Sequence, residues 1–105
     1  MSVGIIGGNA FSVHVVTATV DLGSVAANTT EAETATVTGV KVGDFVMVSK
    51  PSIEAGLMLG TCRVTAADTV EITVGNLTGS AIDEASETLT FLVVRPERAM
   101  TAVAP

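Results

Sequence analysis

Polar and apolar residues alternate most regularly near the centre of the chain, between Thr69 and Val74. Val70, Ile72 and Val74 alternate there with threonine and glutamate. This period of two is typical of a β-strand with one buried and one solvated face. The apolar run 57–65 precedes this segment, and the short link 66–68 joins the two. The pattern therefore predicts an antiparallel hairpin.

Two further segments are apolar on both faces. In 44–50, Phe45 and Met47 share one face and Val46 and Val48 the other. This indicates a central strand, or a strand that a partner covers on its second face.

In 87–95, the alternation predicts that Leu89, Phe91 and Val93 face the core, while Leu92 and Val94 interrupt the polar outer face. We expect contacts between subunits at four of these apolar positions: Val46, Val48, Leu92 and Val94.

The remaining strand signals lie in 11–20 and 30–38, with Glu31 and Glu33 expected to point outward. Turn residues recur about every ten positions and no segment favours a helix, which is typical of antiparallel sandwiches. We predict an all-β fold, an antiparallel β-sandwich or jelly-roll barrel over 11–96.

Flexible N- and C-terminal arms, 1–10 and 97–105, are expected to flank it. The glycine-rich first arm carries Val3, Ile5 and Ile6, and exposed apolar residues of this kind usually bind something.

Composition narrows the possible partners. The chain has 105 residues, which suits one domain. Its net charge is −6 and its five basic residues are scattered, which disfavours nucleic acid and anionic membrane as partners. No apolar run reaches the roughly 18 residues of a membrane span. The start lacks the basic region of a secretion signal, so we expect synthesis in the cytoplasm without Sec export.

The sequence contains no catalytic constellation. His14 has no second ligand nearby, and zinc requires three or four. Alternation places Cys62 with Met58 and Val64 on a buried face, where it is expected to be a small core residue. The acids at 83, 84 and 87, within the polar loop 75–86, do not match a calcium-loop spacing. They predict a solvated loop, with a weak cation site as the alternative. We expect no catalytic, metal or cofactor site.

The run from Asp21 to Pro96 carries a resemblance to a known group of proteins. It reads DLGSVAANTT, then ATVTGVKVGDFVMVSKPS, then GLMLGTCRVTAADTVEITVGNLTG, and ends with a strand closing in VVRP. This resembles the small β-sandwich structural proteins of tailed bacteriophages and prophages. Within that group it is most similar to capsid decoration (cement) proteins.

The resemblance implies a non-enzymatic virion protein. Such a protein binds the outer surface of the capsid as a dimer or trimer and stabilises the shell by bridging major capsid protein subunits. Val3, Ile5 and Ile6 are then the expected shell contacts. The alternative is a phage tail or fibre module that recognises a host glycan, although the chain has no Trp or Tyr for sugar stacking.

Overall fold

The computed structural model describes residues 10–96, which form eight strands and no helix. The strands are β1 (Ala10–Val20), β2 (Ser24–Val25), β3 (Thr29–Thr36), β4 (Phe45–Ser49), β5 (Leu57–Ala66), β6 (Thr69–Asn76), β7 (Ile82–Asp83) and β8 (Glu87–Pro96).

The strands form two three-stranded sheets and a small third one, and every pairing is antiparallel. The first sheet has the order β1-β8-β4, the second has the order β3-β6-β5, and β2 pairs with β7. The predicted all-β antiparallel sandwich is confirmed. The sheets do not close into a barrel, so the jelly-roll barrel alternative does not apply.

The core lies between the two large sheets, and the central strand of each sheet supplies its most deeply buried side chains. The predicted hairpin is confirmed as β5 and β6, and the inward faces of β6 and β8 are as the alternation predicted. The fully buried apolar side chains of these two strands are Val70, Ile72, Val74, Leu89, Phe91 and Val93.

Strand β4 is an edge strand, so the prediction of a central position is wrong. It pairs with β8 and with no other described strand. The other alternative, a partner that covers the second face of this strand, stays a prediction.

An irregularity in β5 changes which residues share a face. The register against β6 shifts between Leu59 and Cys62, and an extra residue in one strand reverses the alternation beyond it. Cys62 consequently lies with Leu59 and Val64 on the core side, while Met58 is on the outer side and 55% exposed. The predicted pairing of Cys62 with Met58 is wrong for this reason.

Glu31 and Glu33 do not point outward as predicted. In the register of β3 with β6 they lie opposite Val74 and Ile72, on the core-facing side. Both are only half-exposed, at the rim of the sandwich. Inward-pointing charges on an edge strand disfavour the addition of another strand there.

The segment 75–86 is not the open polar loop that its composition predicted. It includes the end of β6 and all of β7, and the buried side chain of Asn76 organises it. The Asn76 amide donates hydrogen bonds to the carbonyls of Val25 (3.0 Å) and Ser80 (2.8 Å). Its carbonyl oxygen accepts from the backbone N–H and the hydroxyl of Thr78.

The predicted arms lie almost wholly outside the described residues. The exception is Ala10, which belongs to β1. Val3, Ile5 and Ile6, the expected shell contacts, also lie outside.

Candidate functional site

The outward face of the first sheet is the most unusual surface of the described chain. Opposed residues in antiparallel strands point to the same side, so the registers of β1 and β4 against β8 define rows across all three strands. Two successive rows are entirely apolar. They are Val13–Val94–Phe45 and Val15–Leu92–Met47.

Most of these six side chains are exposed to solvent. Phe45 is 72% exposed, Val15 69% and Met47 61%. Exposing large apolar side chains in one contiguous group forgoes the free energy of burying them. A group of this kind indicates a surface that binds something. We call these six residues the apolar face.

No outward-facing residue of the first sheet between Val13 and Thr19, Phe45 and Ser49, or Thr88 and Val94 is charged. Beyond the apolar face, the next row consists of hydroxyl side chains, Thr17–Thr90–Ser49, and Thr19 lies opposite Thr88 after it. The chain as a whole has 16 acidic and basic residues, 11 and 5. The sheet therefore presents a neutral surface on a strongly acidic protein.

The second sheet has an ordinary solvated outer face. Threonines dominate it, and Arg63 donates a hydrogen bond to Glu71 across β5 and β6 at 3.1 Å. Its outward threonines on β3 and β6 are Thr30, Thr34, Thr36, Thr69 and Thr73. The two outer faces thus differ in polarity, and only the first has an extended apolar group among the described residues.

The predicted subunit contacts divide between the two sides of the first sheet. Leu92 and Val94 are on the apolar face. Val46 is only 8% exposed within the core, and Val48 packs against the core. Strand β4 directs Val46 and Val48 inward, and Phe45 and Met47 are its outward residues. Contacts between subunits at Val46, Val48, Leu92 and Val94 stay a prediction.

An ion pair fixes one end of the apolar face. Arg95 donates to both carboxylate oxygens of Asp44, at 2.9 and 2.8 Å, and to the carbonyl of Gly39 at 2.7 Å. The hydrogen bonds from Arg95 lower the pKa of Asp44, so this carboxylate stays ionised. Since Asp44 directly precedes β4 and Arg95 is near the end of β8, the bidentate pair holds the start of β4 in register.

A second charged cluster lies at the opposite end of β4. The Lys50 ammonium is almost completely buried, with 4% of its side chain exposed. It lies 2.6 Å from Glu84, contacts Glu87, and donates to the carbonyl of Ser52 at 2.8 Å. Glu84 also accepts the backbone N–H of Glu54 at 2.6 Å.

This arrangement corrects the expectation for the acidic loop. Glu84 and Glu87 are not free in solvent, because both pair with Lys50, and they belong to no metal-holding group among residues 10–96. Burial opposes the charge of Lys50, but its hydrogen bonds to the two glutamates outweigh this and raise its pKa. Sequence reasoning missed the cluster because Lys50 and Glu87 are 37 positions apart.

Cys62 and His14 were the two candidate reactive side chains in the sequence. Burial raises the pKa of the Cys62 thiol, which disfavours the nucleophilic thiolate. His14 has one side-chain partner, the Ser12 hydroxyl at 3.3 Å. Within residues 10–96, no group of three or more His, Cys, Asp or Glu side chains could hold a metal ion. The same residues include no helix that is long and apolar enough to cross a membrane.

Comparison with protein-family models, with curated proteins and with solved structures finds no match. What the residues and their geometry define is a class: an antiparallel β-sandwich with one solvated outer face and one neutral, partly apolar outer face.

Proposed function

We propose that this chain is a non-enzymatic structural protein of a phage virion, located on the outer surface of the capsid. It binds major capsid protein subunits and bridges them. The observation that carries the proposal is the apolar face, an exposed and uncharged surface on an otherwise acidic molecule. The resemblance of 21–96 to capsid decoration proteins supplies the identity of the partner.

The chemistry of the face suits this role. A decoration protein requires a surface that binds the assembled shell more tightly than free shell subunits, because that difference in affinity is what stabilises the shell. Apolar contact provides such binding without a charged partner, and the hydroxyl row beside it supplies hydrogen bonds at its rim. Val3, Ile5 and Ile6 are the further proposed shell contacts.

The second candidate is a tail or fibre module that binds a host glycan. The observation in its favour is the position of Phe45, the one described aromatic ring with large exposure, two rows from the hydroxyls of Ser49, Thr90 and Thr17. A sugar chain that spans the two rows could stack on the ring and accept or donate hydrogen bonds at the hydroxyls. Binding to a glycan array without binding to shells would favour this candidate over the first.

The direct experiment mixes the purified protein with undecorated shells of the phage or prophage that encodes it. We expect the protein to co-sediment with shells at a fixed ratio and to raise the temperature at which they break open. A variant lacking residues 1–10 should keep the wild-type circular dichroism spectrum but bind shells more weakly. Absence of the full-length protein from sedimented shells would overturn the proposal.

A further inference from the structure

The two large sheets have four edge strands, and three of them carry features that prevent pairing with another chain. Glu31 and Glu33 point inward from β3. Strand β5 contains the register shift before Cys62 and carries Arg63. Strand β4 has only five residues, with Asp44 before it and Lys50 and then Pro51 after it. Charges, bulges, proline and short length are the usual protection of an edge.

Strand β1 has none of these features. It has 11 residues, Ala10–Val20, without Asp, Glu, Lys, Arg or Pro. Its one register irregularity lies at its start, between Ala10 and Ser12. Within residues 10–96 it pairs on one side only, with β8. A long, uncharged edge of this kind is a template for another strand.

The edge is also open beside its central residues. A cleft of about 340 Å³ lies next to it, lined among others by His14, Val16 and Val40. His14 itself is exposed. The cleft lies on the inner side of β1, because His14 and Val16 are opposite Val93 and Phe91 of the core. It leaves space there for the His14 side chains of two paired copies.

We propose that the free edge of β1 pairs antiparallel with the same edge of a second copy, about a two-fold axis at His14. Two copies that each carry a charge of −6 repel each other. Contact along β1 costs the least, since this strand brings no acid to the interface. The pairing joins two three-stranded sheets into one six-stranded sheet.

A two-fold axis at His14 makes the apolar faces of the two copies continuous. Val13 lies opposite Val15 of the second copy, so each apolar row of one copy runs into an apolar row of the other. With strands about 4.8 Å apart and rows about 6.6 Å apart, one apolar face covers roughly 200 Å² and the joined pair about 400 Å². The joined area is comparable to the largest apolar patches on proteins, which are often functional.

The inference rests on the proposed function, since the resemblance to decoration proteins implies a dimer or trimer, and it names the surface of that self-association. Its failure is distinguishable from a failure of capsid binding, because it is measured on the protein alone while decoration is measured on shells.

The test is the mass of the protein in solution across a range of concentrations, by sedimentation equilibrium. We expect wild-type dimers that dissociate on dilution. His14→Lys should raise the dimer dissociation constant at least about tenfold, because it places two positive charges opposite each other at the axis. His14→Gln should dimerise like the wild type. Met47→Lys is the matched control, since it adds the same charge on the opposite edge strand of the same sheet, and it should also remain dimeric.

Three results would overturn the proposal: a wild type that stays monomeric up to millimolar concentration, a closed trimer, or equal loss of the dimer in Met47→Lys and His14→Lys. A second measurement requires no variant. Hydrogen exchange of the wild type at high and low concentration should show extra protection in 12–18 when the dimer forms. Protection confined to another strand would contradict the proposal.

Discussion

Asn76 is the buried polar residue that holds the loops at one end of the sandwich together. Its side chain is 0% exposed, and its amide links the carbonyl of Val25 in β2 to that of Ser80. Hydrogen bonds within a protein stabilise it modestly, but leaving several buried groups without partners is expensive. The residue therefore fixes where β2 and β7 lie relative to β6.

Replacing Asn76 with alanine should destabilise the protein by about 2 to 3 kcal/mol, because two carbonyls and Thr78 lose their partners. The free energy of unfolding in urea measures this. Thr78→Val is the control; it removes one hydroxyl at the margin of the same network and should cost about 1 kcal/mol or less. A loss below about 0.5 kcal/mol in Asn76→Ala would show that the network does not hold these loops.

The sequence could not reveal the role of Asn76. It occurs in a polar, glycine-containing stretch that reads as a turn, and its partners include Val25, which is 51 positions away. By contrast, the inward residues of β6 were predicted correctly, because alternation alone decides which side of a central strand is buried.

At the scale of elements, the buried cation Lys50 joins β4 to the segment between β7 and β8. Arg63 and Glu71 form the exposed counterpart on the second sheet, with 64% of the arginine side chain exposed. Exposed pairs contribute little to stability, whereas removing one member of a buried pair leaves a charge without compensation. The two pairs thus allow a matched comparison.

Lys50→Met should destabilise the protein by about 2 to 3 kcal/mol, because Glu84 and Glu87 lose their counter-ion. Arg63→Met should cost less than about 0.5 kcal/mol. Urea unfolding at neutral pH measures both. Equal effects in the two variants would contradict the assignment of Lys50 as a buried structural cation.

The same pair predicts a pH dependence. The hydrogen bond from Lys50 lowers the pKa of Glu87 below its usual 4.5. The ionised Glu87 therefore stabilises the fold fully above pH 4.5. This stabilisation is lost as the pH falls through the lower pKa that Glu87 has in the folded protein. The raised pKa of Lys50 acts at the alkaline end, where its contribution is lost as the pH rises above 10.5. Lys50→Met should flatten the stability profile at both ends.

The positions of the strands were largely predictable from the sequence. Which side of each strand is buried, and which strands pair, were predictable only in part. Leu92 and Val94 were correctly placed on the outer side of β8, because Leu89, Phe91 and Val93 clearly mark its core side. In β4 both sides are apolar, so alternation could not choose between Val46 and Phe45. The choice depends on the pairing of β4 with β8, which is a long-range contact that the local pattern does not contain.

For the molecule as a whole, the difference between its two outer faces is the central feature. A monomeric sandwich gains nothing from exposing Phe45 and Met47 while covering its other side with threonines. The apolar face is explained if another surface covers it. We expect this contact on the first sheet and not on the second.

The measurement that tests this most directly is shell binding by a matched pair of variants. Met47 and Met58 are exposed to a similar extent, 61% and 55%, on the outer faces of opposite sheets. Met47→Lys should weaken binding to shells at least about tenfold, a cost of about 1.4 kcal/mol, whereas Met58→Lys should bind like the wild type. Equal binding by both variants, or a loss confined to Met58→Lys, would contradict the account.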